Sequence, residues 1–595
     1  MSSPLPKSVD VVIVGAGPGG STTAAILAKY RPNTSVLVLE RQDFPRYKIG
    51  ESLIIDINRV LADMGALPAV DAAGFTHKYG VTFVWGGERV PKTFFWQDGT
   101  SLVRPPVGYH LDYTYHVDRP RYDQILLDCA ASHGATVAHG QEVTEVLRED
   151  GRVVGVRARG GDGVESEVRA RYVIDAAGGQ GPMSRSDAVG RKLDEDLRNI
   201  AVYGYYRDVK PVDHLTGLED HRRTTLITTP QGWVWVIPLS DGITSVGFVT
   251  SVANFRAANL LDPRAYHEAM LRSLPEYDLL FGEAELVDYR GDGQMIHSVR
   301  EYSYSCEQVA GPGWASVGDA GGFVDAILSI GCFVAQNHAQ FLAYALATVL
   351  DDPRDEALAF ASYATTLQEN LRAFRAVAHM FYAFNPDMTV WWQECSTRLR
   401  ASNLVPGDDD RTAFAAFFTG FAARSSLYES ALDAFSGPFL VEVSEGLFGS
   451  NRPFEREKME GHNRRAQQMV EGDPVLRFAA PYKTRPFLLP RSGAGRLEKA
   501  IRLDLELAVT DPEGQSREAV ARRIYLPALA AAIPGLIDGR RPVSKIIEAL
   551  AAANPGVTHQ ECAELVHPTI GRLAGMGALE PASAGAAVIV VNQAP

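Results

Sequence analysis

Three glycines near the start of the chain have the spacing of a phosphate-binding turn. Gly15, Gly17 and Gly20 follow the β-branched run Val9–Val14 and precede a segment of helical character. In this arrangement the first glycine permits a tight turn, the second lets the backbone approach a pyrophosphate, and the third lets helix and strand pack closely. The spacing predicts a dinucleotide site whose phosphates are held by Gly15, Ala16, Gly17 and Gly20.

An acidic residue at the end of the next apolar run supports this prediction. Glu40 closes the segment SVLVLE, where a carboxylate can accept hydrogen bonds from an adenosine ribose. A glycine turn of purely structural use is the alternative, but the strand, the helix and the acidic end together favour the nucleotide site. The motif leaves FAD and NAD open, because both use the same phosphate cradle.

Two later segments favour FAD. Tyr172–Gly178 is a strand that runs into a small-residue turn, and Ala315–Ala320 is a strand that ends in a Gly-Asp pair. A single Gly-Asp pair is typical of a helix N-cap. In this order, however, both segments resemble those that pass the FAD in flavoproteins of the p-hydroxybenzoate hydroxylase-like fold. The resemblance implies that Asp175, Gly318 and Asp319 contact the cofactor.

Two aromatic segments make the resemblance more specific. Trp233 and Trp235 share one face of a predicted strand in GWVWVIP, and Lys78 lies among aromatic residues in FTHKYGVTFVWG. Taken singly, the tryptophans are typical of a packed core strand and the lysine of a surface side chain with a buried stem. Together they resemble the WxWxIP and FxxKxGxxFxWG patterns of the flavin-dependent halogenases. The resemblance implies that Lys78 is catalytic and that the two indoles form a wall between substrate and flavin.

The resemblance covers about residues 8–350 and includes three further segments. RYKIGESL resembles the family's segment beside the flavin, and Arg119 resembles its flavin-binding arginine. The loop from Gly318 to Cys332 matches the pattern GDAxxFxDPxxSxG except that Ala326 replaces the proline. Oriented amides at a helix start suit a halide ion, which the resemblance places at Ser329, Ile330 and Gly331. The remaining cofactor residues that it implies are Arg41, Lys48, Ile49, Gly50, Glu51, Ser52, Arg119 and Val143.

The implied activity is FADH2- and O2-dependent halogenation in natural-product biosynthesis. Hypochlorous acid formed at the flavin would reach an electron-rich phenol, or an acyl group on a carrier protein, through Lys78. With no second nucleotide motif for NAD(P)H, a separate flavin reductase would supply the reduced FAD. Chloride and bromide stay open, as do two other functions: a single-component FAD monooxygenase and a non-catalytic docking protein.

The predicted fold is α/β: a p-hydroxybenzoate hydroxylase-like FAD fold, with a Rossmann-type dinucleotide domain and an antiparallel sheet. We assign residues 1–350 to this domain, 351–470 to a helical region and 471–595 to a C-terminal domain. Within these ranges, 451–490 is rich in Arg, Pro and Lys and is predicted to be a connection. Two helical segments and an apolar tail near the end resemble a winged-helix unit. The added domain is typical of the phenol and acyl halogenase branch, which includes enzymes of the chloramphenicol and chondrochloren pathways.

Charge and composition disfavour several partners. The chain has 58 basic and 72 acidic residues, a net charge of −14, so a nucleic-acid partner is not expected. Five cysteines without a CxxC pair predict free thiols and no metal site. An apolar stretch of about 18 residues is missing, and the first residues do not resemble a signal peptide. The sequence therefore predicts a cytoplasmic protein without membrane contacts.

Overall fold

The structure is a computed structural model in which two compact units are described, one before residue 384 and one from residue 472. Most of the predicted helical region 351–470, Cys395 and the apolar tail lie outside the described residues. These are residues 4–85, 89, 91–96, 112–183, 189–212, 216, 222–258, 260, 262–300, 302–383, 472–479, 481–490, 493–510, 516–575 and 578–582.

Strands and helices alternate at the start of the chain and segregate later. The strands are β1 (Ser8–Val14), β2 (Val36–Glu40), β3 (Thr76–Lys78), β4 (Gly80–Val84), β5 (Pro91–Phe95), β6 (Thr114–His116), β7 (Thr136–His139), β8 (Gln141–Glu149), β9 (Arg152–Gly160), β10 (Glu165–Asp175), β11 (Arg191–Leu193), β12 (Asn199–Arg207), β13 (Arg223–Thr229), β14 (Gly232–Pro238), β15 (Thr244–Ser251), β16 (Glu285–Val287), β17 (Ile296–Arg300), β18 (Tyr304–Cys306), β19 (Ala310–Gly311), β20 (Trp314–Ser316), β21 (Gly322–Phe323), β22 (Leu476–Phe478), β23 (Tyr482–Pro490), β24 (Leu497–Thr510), β25 (Ser516–Pro527) and β26 (Leu579–Pro581). The helices are α1 (Pro18–Tyr30), α2 (Ile57–Met64), α3 (Leu67–Ala72), α4 (Arg119–Ser132), α5 (Val252–Ala257), α6 (Pro263–Arg272), α7 (Tyr277–Phe281), α8 (Gly331–Asp351), α9 (Glu356–Ala383), α10 (Ile533–Leu536), α11 (Val543–Ala553) and α12 (His559–Gly575).

A parallel sheet brings the three predicted nucleotide segments to one edge. Its strands run in the order β20, β10, β1, β2 and β7, all parallel, with β19 added antiparallel on β20. The β-branched, apolar strand β1 is central and its last four residues are buried, as expected for a strand covered on both faces. Since the carboxyl ends of parallel strands meet at one edge, the turns after β1, β10 and β20 lie together.

An antiparallel sheet carries the tryptophan pair. Its strands run in the order β16, β12, β15, β14, β13, β4 and β5, with β17 also paired to β12. One face packs against α5, α6 and α7 through a cluster that includes Val234, Phe248 and Leu271. Strand residues alternate between faces, so Trp233 and Trp235 project from the other face. The two sheets confirm the Rossmann-type and antiparallel parts of the predicted α/β fold.

Two long helices complete the first unit. The 21-residue helix α8 is buried over most of its length and packs against α1, with α9 beside it. Most of its residues are apolar, and its polar residues Gln336, Asn337, His338 and Gln340 are buried as well, as expected for a helix enclosed by other elements. The first residue of α8, Gly331, is the last of the three residues predicted to bind the halide. None of the described helices is both long and apolar enough to cross a membrane.

The second unit combines small antiparallel sheets with a helical pair. Strands β23, β24 and β25 form a meander, β22 pairs with β26, and α11 packs against α12 around Ile546, Leu550 and Val566. The predicted connection 451–490 is wrong at its end, where β22 and β23 lie. The Arg, Lys and Pro residues of β23 hid a strand whose pairing partner, β24, follows it directly. The two predicted C-terminal helices are present as α11 and α12.

Candidate active site

A cavity of about 540 Å³ lies where the parallel sheet meets the antiparallel sheet. It is bounded by the turns after β1, β10 and β20, by the 46–52 segment and by the face of β14. The cavity brings together most of the residues predicted from the sequence. These are Gly15, Gly17, Glu40, Arg41, Lys48, Ile49, Gly50, Glu51, Ser52, Arg119, Val143, Trp233, Trp235, Gly318, Asp319, Ser329, Ile330 and Gly331.

The glycine turn has the geometry that its spacing predicts. Gly15 has a φ of +100°, and a Cβ on Gly20 would lie 2.0 Å from the Gly15 carbonyl oxygen. Any side chain at Gly20 would therefore push α1 away from the turn, while Gly17 caps α1 and lines the cavity. Glu40 braces the turn from β2, because its Oε2 accepts a hydrogen bond of 2.9 Å from the Ala16 amide.

Two arginines and one carboxylate anchor the segment that borders the middle of the cavity. Arg119, at the start of α4, donates to Asp123 Oδ1 and Oδ2 at 2.8 and 3.0 Å and to the Ile49 carbonyl at 2.6 Å. Arg46 donates to the same carboxylate at 3.2 Å and lies 3.8 Å from Glu40 Oε2. Arg46 was not among the predicted residues, although it begins the RYKIGESL segment.

Asp175 ends β10, whereas Asp319 lies in the turn that follows the end of β20 at Ser316, and the two carboxylates have different surroundings. Asp175 accepts hydrogen bonds from the amides of Ala177 and Met183 at 3.0 and 2.8 Å, is fully buried and does not line the cavity. It therefore shapes the turn after β10. Asp319 is exposed and lines the cavity directly after β20.

The two tryptophans form one apolar wall of the cavity. Trp233 and Trp235 are 1% and 5% exposed, and their ring centroids are 6.1 Å apart. The indole nitrogen of Trp233 donates to the Tyr382 hydroxyl at 2.9 Å, and that of Trp235 donates to Ser245 Oγ at 3.1 Å. Both indoles are thus fixed in orientation, and α9 contributes the hydroxyl group that holds Trp233.

Lys78 is buried, unlike the surface lysine that its sequence neighbours would also allow. Its side chain is 0% exposed, and Nζ donates to Ser52 Oγ and to the Leu53 carbonyl, each at 2.8 Å. The ring of Trp96 lies 5.2 Å from Nζ. Burial lowers the pKa of Lys78 to about 7. Lys78 does not line the cavity itself, but its partner Ser52 does.

Thr224 and His116 extend the polar contacts of Lys78. Ser52 Oγ lies 2.7 Å from Thr224 Oγ1, which lies 2.9 Å from His116 Nε2. The other ring nitrogen, Nδ1, lies 3.0 Å from the Pro238 carbonyl oxygen. The sequence prediction missed both residues, because they stand on β13 and β6 outside any motif. The one signal that the sequence offers is the position of His116, which directly precedes the Val117-Asp118-Arg119 segment.

The predicted halide turn lies at the start of α8. Ser329 has a φ of +55°, and its amide donates to the Ala326 carbonyl at 3.1 Å. Ile330 and Gly331 begin the helix, where backbone N–H groups have no acceptor within the helix. Asp325 Oδ1 accepts from the Ile327 amide at 3.0 Å. This bond constrains the loop at the position where Ala326 replaces the family's proline.

Comparison with known sequences assigns the family. The sequence profile described as "Tryptophan halogenase" matches residues 10–104 and 97–405. The chain belongs to this halogenase family. The match spans both sheets of the first unit, together with the cavity between them. Members of this family are flavin-dependent halogenases and hence oxidoreductases.

Two curated relatives give the range of related activities. The chain is 32% identical over 385 residues to a tryptophan 2-halogenase of Chondromyces crocatus, covering 64% of this chain and 69% of that protein. It is 28% identical over 416 residues to a 1H-pyrrole-2-carbonyl-[peptidyl-carrier protein] chlorinase of Pseudomonas fluorescens, covering 67% and 89% of the two chains. Such halogenases thus include proteins named for a free amino acid and for a carrier-bound acyl group.

Two solved halogenase structures share the architecture. The myxobacterial chondrochloren halogenase CndH, described as a variant of FAD-dependent halogenases, is 31% identical with a TM-score of 0.58, covering 76% of this chain and 99% of that one. The flavin-dependent halogenase CmlS is 25% identical with a TM-score of 0.65, covering 99% and 98%. The second alignment also spans the C-terminal unit of this halogenase.

The cavity of this halogenase fits a bound FAD. The glycine turn leaves backbone exposed at Gly17, and Glu40 stands where an adenosine ribose would lie in this fold. At the other end, Glu51 is 3% exposed, and among the described residues its Oε2 has no hydrogen-bond partner. Since buried polar atoms are usually paired, this oxygen is consistent with a group bound in the cavity.

Proposed function

We propose that the protein is an FADH2- and O2-dependent halogenase whose reactive side chain is Lys78. One observation supports this most strongly: a buried lysine with a pKa of about 7 contacts Ser52, a residue that lines the same cavity as Trp233 and Trp235. Bound reduced FAD would supply, with O2, the oxidising equivalents that convert a halide into hypohalous acid. The proposed cofactor residues are the predicted ones that line the cavity, joined by Arg46, while Asp175 supports the turn after β10.

The protein's own residues would hold the halide and transfer the halogen. The amides of Ile330 and Gly331, together with the Ser329 turn, would bind chloride or bromide. The protonated form of Lys78 can polarise hypohalous acid by donating a hydrogen bond to it. The neutral amine can capture the halogen, forming an N–Cl bond while water leaves. Both forms are populated near neutral pH because burial lowers the lysine pKa to about 7.

The indole wall would keep the two reactants apart. Trp233 and Trp235 line the cavity between the predicted flavin segment and the antiparallel sheet, and their hydrogen bonds hold both rings in place. A substrate blocked by these rings cannot receive oxygen directly from the flavin. This separation distinguishes halogenation from the monooxygenase reaction that the fold alone would allow.

The substrate is an electron-rich aromatic compound or a carrier-bound acyl group, and a separate flavin reductase supplies reduced FAD. The two relatives named above support both substrate classes. We also propose the boundaries 1–350, 351–470 and 471–595, with a winged-helix-like C-terminal domain built on α11 and α12. A cytoplasmic location and the absence of nucleic-acid and membrane partners complete this proposal.

The Lys78→Met variant tests the proposal. Both proteins are supplied with reduced FAD, O2, halide and a panel of free and carrier-bound phenols and pyrroles. Methionine keeps the volume of the side chain but has no amine. We expect O2 consumption to persist while halogenated product, detected by mass spectrometry, falls by about 100-fold or more. Product formation at the wild-type rate would exclude Lys78 from halogen transfer.

A further inference from the structure

Hydrogen bonds connect Lys78 through Ser52 and Thr224 to His116, and we call this series the hydrogen-bond chain. The donors and acceptors along it can be assigned in only one way. The carbonyl oxygen of Pro238 can only accept, so His116 Nδ1 carries the proton and donates across 3.0 Å. In the neutral imidazole Nε2 is then an acceptor, and the Thr224 hydroxyl must donate to it. Burial keeps the pKa of His116 well below its ordinary value, so the neutral imidazole is the relevant form.

The direction continues through the two hydroxyl groups to the lysine. Thr224 has one hydroxyl proton, which is committed to His116, so at 2.7 Å it must accept from Ser52. Ser52 in turn has its proton committed to Thr224, so its oxygen can only accept from Lys78 Nζ at 2.8 Å. The lysine therefore lies at the donor end of a chain in which each hydroxyl orientation depends on the next acceptor.

We propose that His116 is a positioning residue for Lys78, which it holds as a hydrogen-bond donor through Thr224 and Ser52. This inference rests on the proposed role of Lys78 in halogen transfer. An acceptor fixed at Ser52 stabilises the ammonium, and a hydroxyl free to turn could instead donate to the neutral amine. His116 thus biases the protonation state of the reactive nitrogen without contacting it.

The backbone supports this positioning. Leu53 N donates to the Tyr115 carbonyl, and Val117 N donates to the Glu51 carbonyl, at 3.1 and 2.8 Å. Ser52 and His116 themselves form a β-bridge between these two bonds. The segment that carries Ser52 is therefore fixed directly against the strand that carries His116, with all four polar side chains buried.

The charged side chains beside the hydrogen-bond chain bind residues outside it. Glu51, beside Ser52 in sequence, hydrogen-bonds with Tyr205 and Ser245. Arg223, beside Thr224, donates from Nε to Thr82 Oγ1 at 3.2 Å. For Lys78 itself, burial is the cause that lowers the pKa. The hydrogen-bond chain is thus the local influence on its protonation that substitution can remove.

The test measures the pKa of Lys78 by NMR in protein labelled with ¹⁵N-lysine. The Lys78 signal is assigned by its loss in the Lys78→Met variant. His116→Phe removes the terminal acceptor, and Thr224→Val removes the middle hydroxyl at nearly constant volume. In both variants we expect the Lys78 pKa to fall by about one unit, a tenfold loss of proton affinity, because Ser52 becomes free to donate to the amine.

Conservative variants separate this effect from a general loss of packing. His116→Gln and Thr224→Ser keep an acceptor and a hydroxyl, and we expect the wild-type pKa in both. The double variant His116→Phe/Thr224→Val should match either single variant, because the substitutions interrupt the same chain. His267→Phe changes another buried histidine, one that contacts Tyr206 on the antiparallel sheet, and should leave the Lys78 pKa unchanged.

An unchanged Lys78 pKa in His116→Phe and Thr224→Val would overturn the proposal. If His116→Phe does not fold, the Lys78 pKa in Thr224→Val tests the proposal, because that variant interrupts the same series of hydrogen bonds. A parallel shift of the pH profile of halogenation should accompany the NMR result. Absence of halogenated product in the wild-type protein would instead refute the proposed function, and the NMR titration would still decide whether His116 controls Lys78.

Discussion

At the scale of single residues, the central feature is an amine buried at a cost to stability. The pKa of Lys78 is about 7 in the folded chain, against an ordinary value near 10.4 in the unfolded chain. Below pH 7 both states bind the proton, and the cost of burial is constant. Between these two values the unfolded chain binds more protons than the folded chain, so the free energy of unfolding rises with pH.

This linkage predicts how stability depends on pH. In the wild-type protein Lys78 should add about 1.4 kcal/mol per pH unit to the free energy of unfolding between pH 7.5 and 9.5. Lys78→Met lacks this contribution, so the stability difference between the two proteins should change by roughly 3 kcal/mol over that range. Urea unfolding followed by tryptophan fluorescence measures it. Parallel pH dependences would contradict a folded-state pKa near 7.

The sequence predicts Lys78 as the reactive residue but does not predict its environment. The motif predicts the residue, whereas its burial and the hydrogen bonds that lead from Ser52 through Thr224 to His116 depend on how β3 pairs with β6 and β4 with β13. These strands are far apart in sequence, and their polar side chains resemble ordinary strand residues. Ser52 was predicted as a cofactor residue, and the structure adds its hydrogen bond to Lys78.

At the scale of elements, the packing of α1 against the turn after β1 should control FAD binding. A Cβ at Gly20 would lie 2.0 Å from backbone at Gly15, whereas one at Gly19 would meet Val317 Cγ1 at an ordinary 3.4 Å. We expect Gly20→Ala to weaken FAD binding at least about tenfold, or about 1.4 kcal/mol. Gly19→Ala is the matched control and should bind normally in a titration of flavin absorbance. Equal affinities would contradict this packing argument.

The tryptophan wall depends on a glycine in the neighbouring strand. Gly247 pairs with Trp235 between β14 and β15, and a Cβ there would lie 2.1 Å from Trp235 Cζ2. Gly247→Ala should therefore displace the indole, lower the free energy of unfolding by about 1–3 kcal/mol and reduce halogenated product per O2 consumed. Gly161→Ala, where a Cβ meets nothing within 4 Å, is the control. If Gly247→Ala keeps the wild-type free energy of unfolding and the wild-type yield of halogenated product per O2, the prediction is wrong.

At the scale of the whole molecule, the parallel sheet was predictable and the C-terminal unit less so. Local signals mark β1, α1 and β2, because glycine spacing and β-branched runs act within one βαβ unit. Strands β22 and β23 lack such a signal, and their pairing with later strands decides their structure. The site likewise assembles from segments at both ends of the first unit, which only the fold brings together.

The most direct test of the halogenase assignment supplies the protein with reduced FAD, O2 and an accepted substrate, with chloride, with bromide or with neither. We expect a product whose mass gain and isotope pattern follow the halide supplied, and no hydroxylated product when halide is omitted. A hydroxylated product that forms when halide is omitted would contradict the assignment and indicate a monooxygenase.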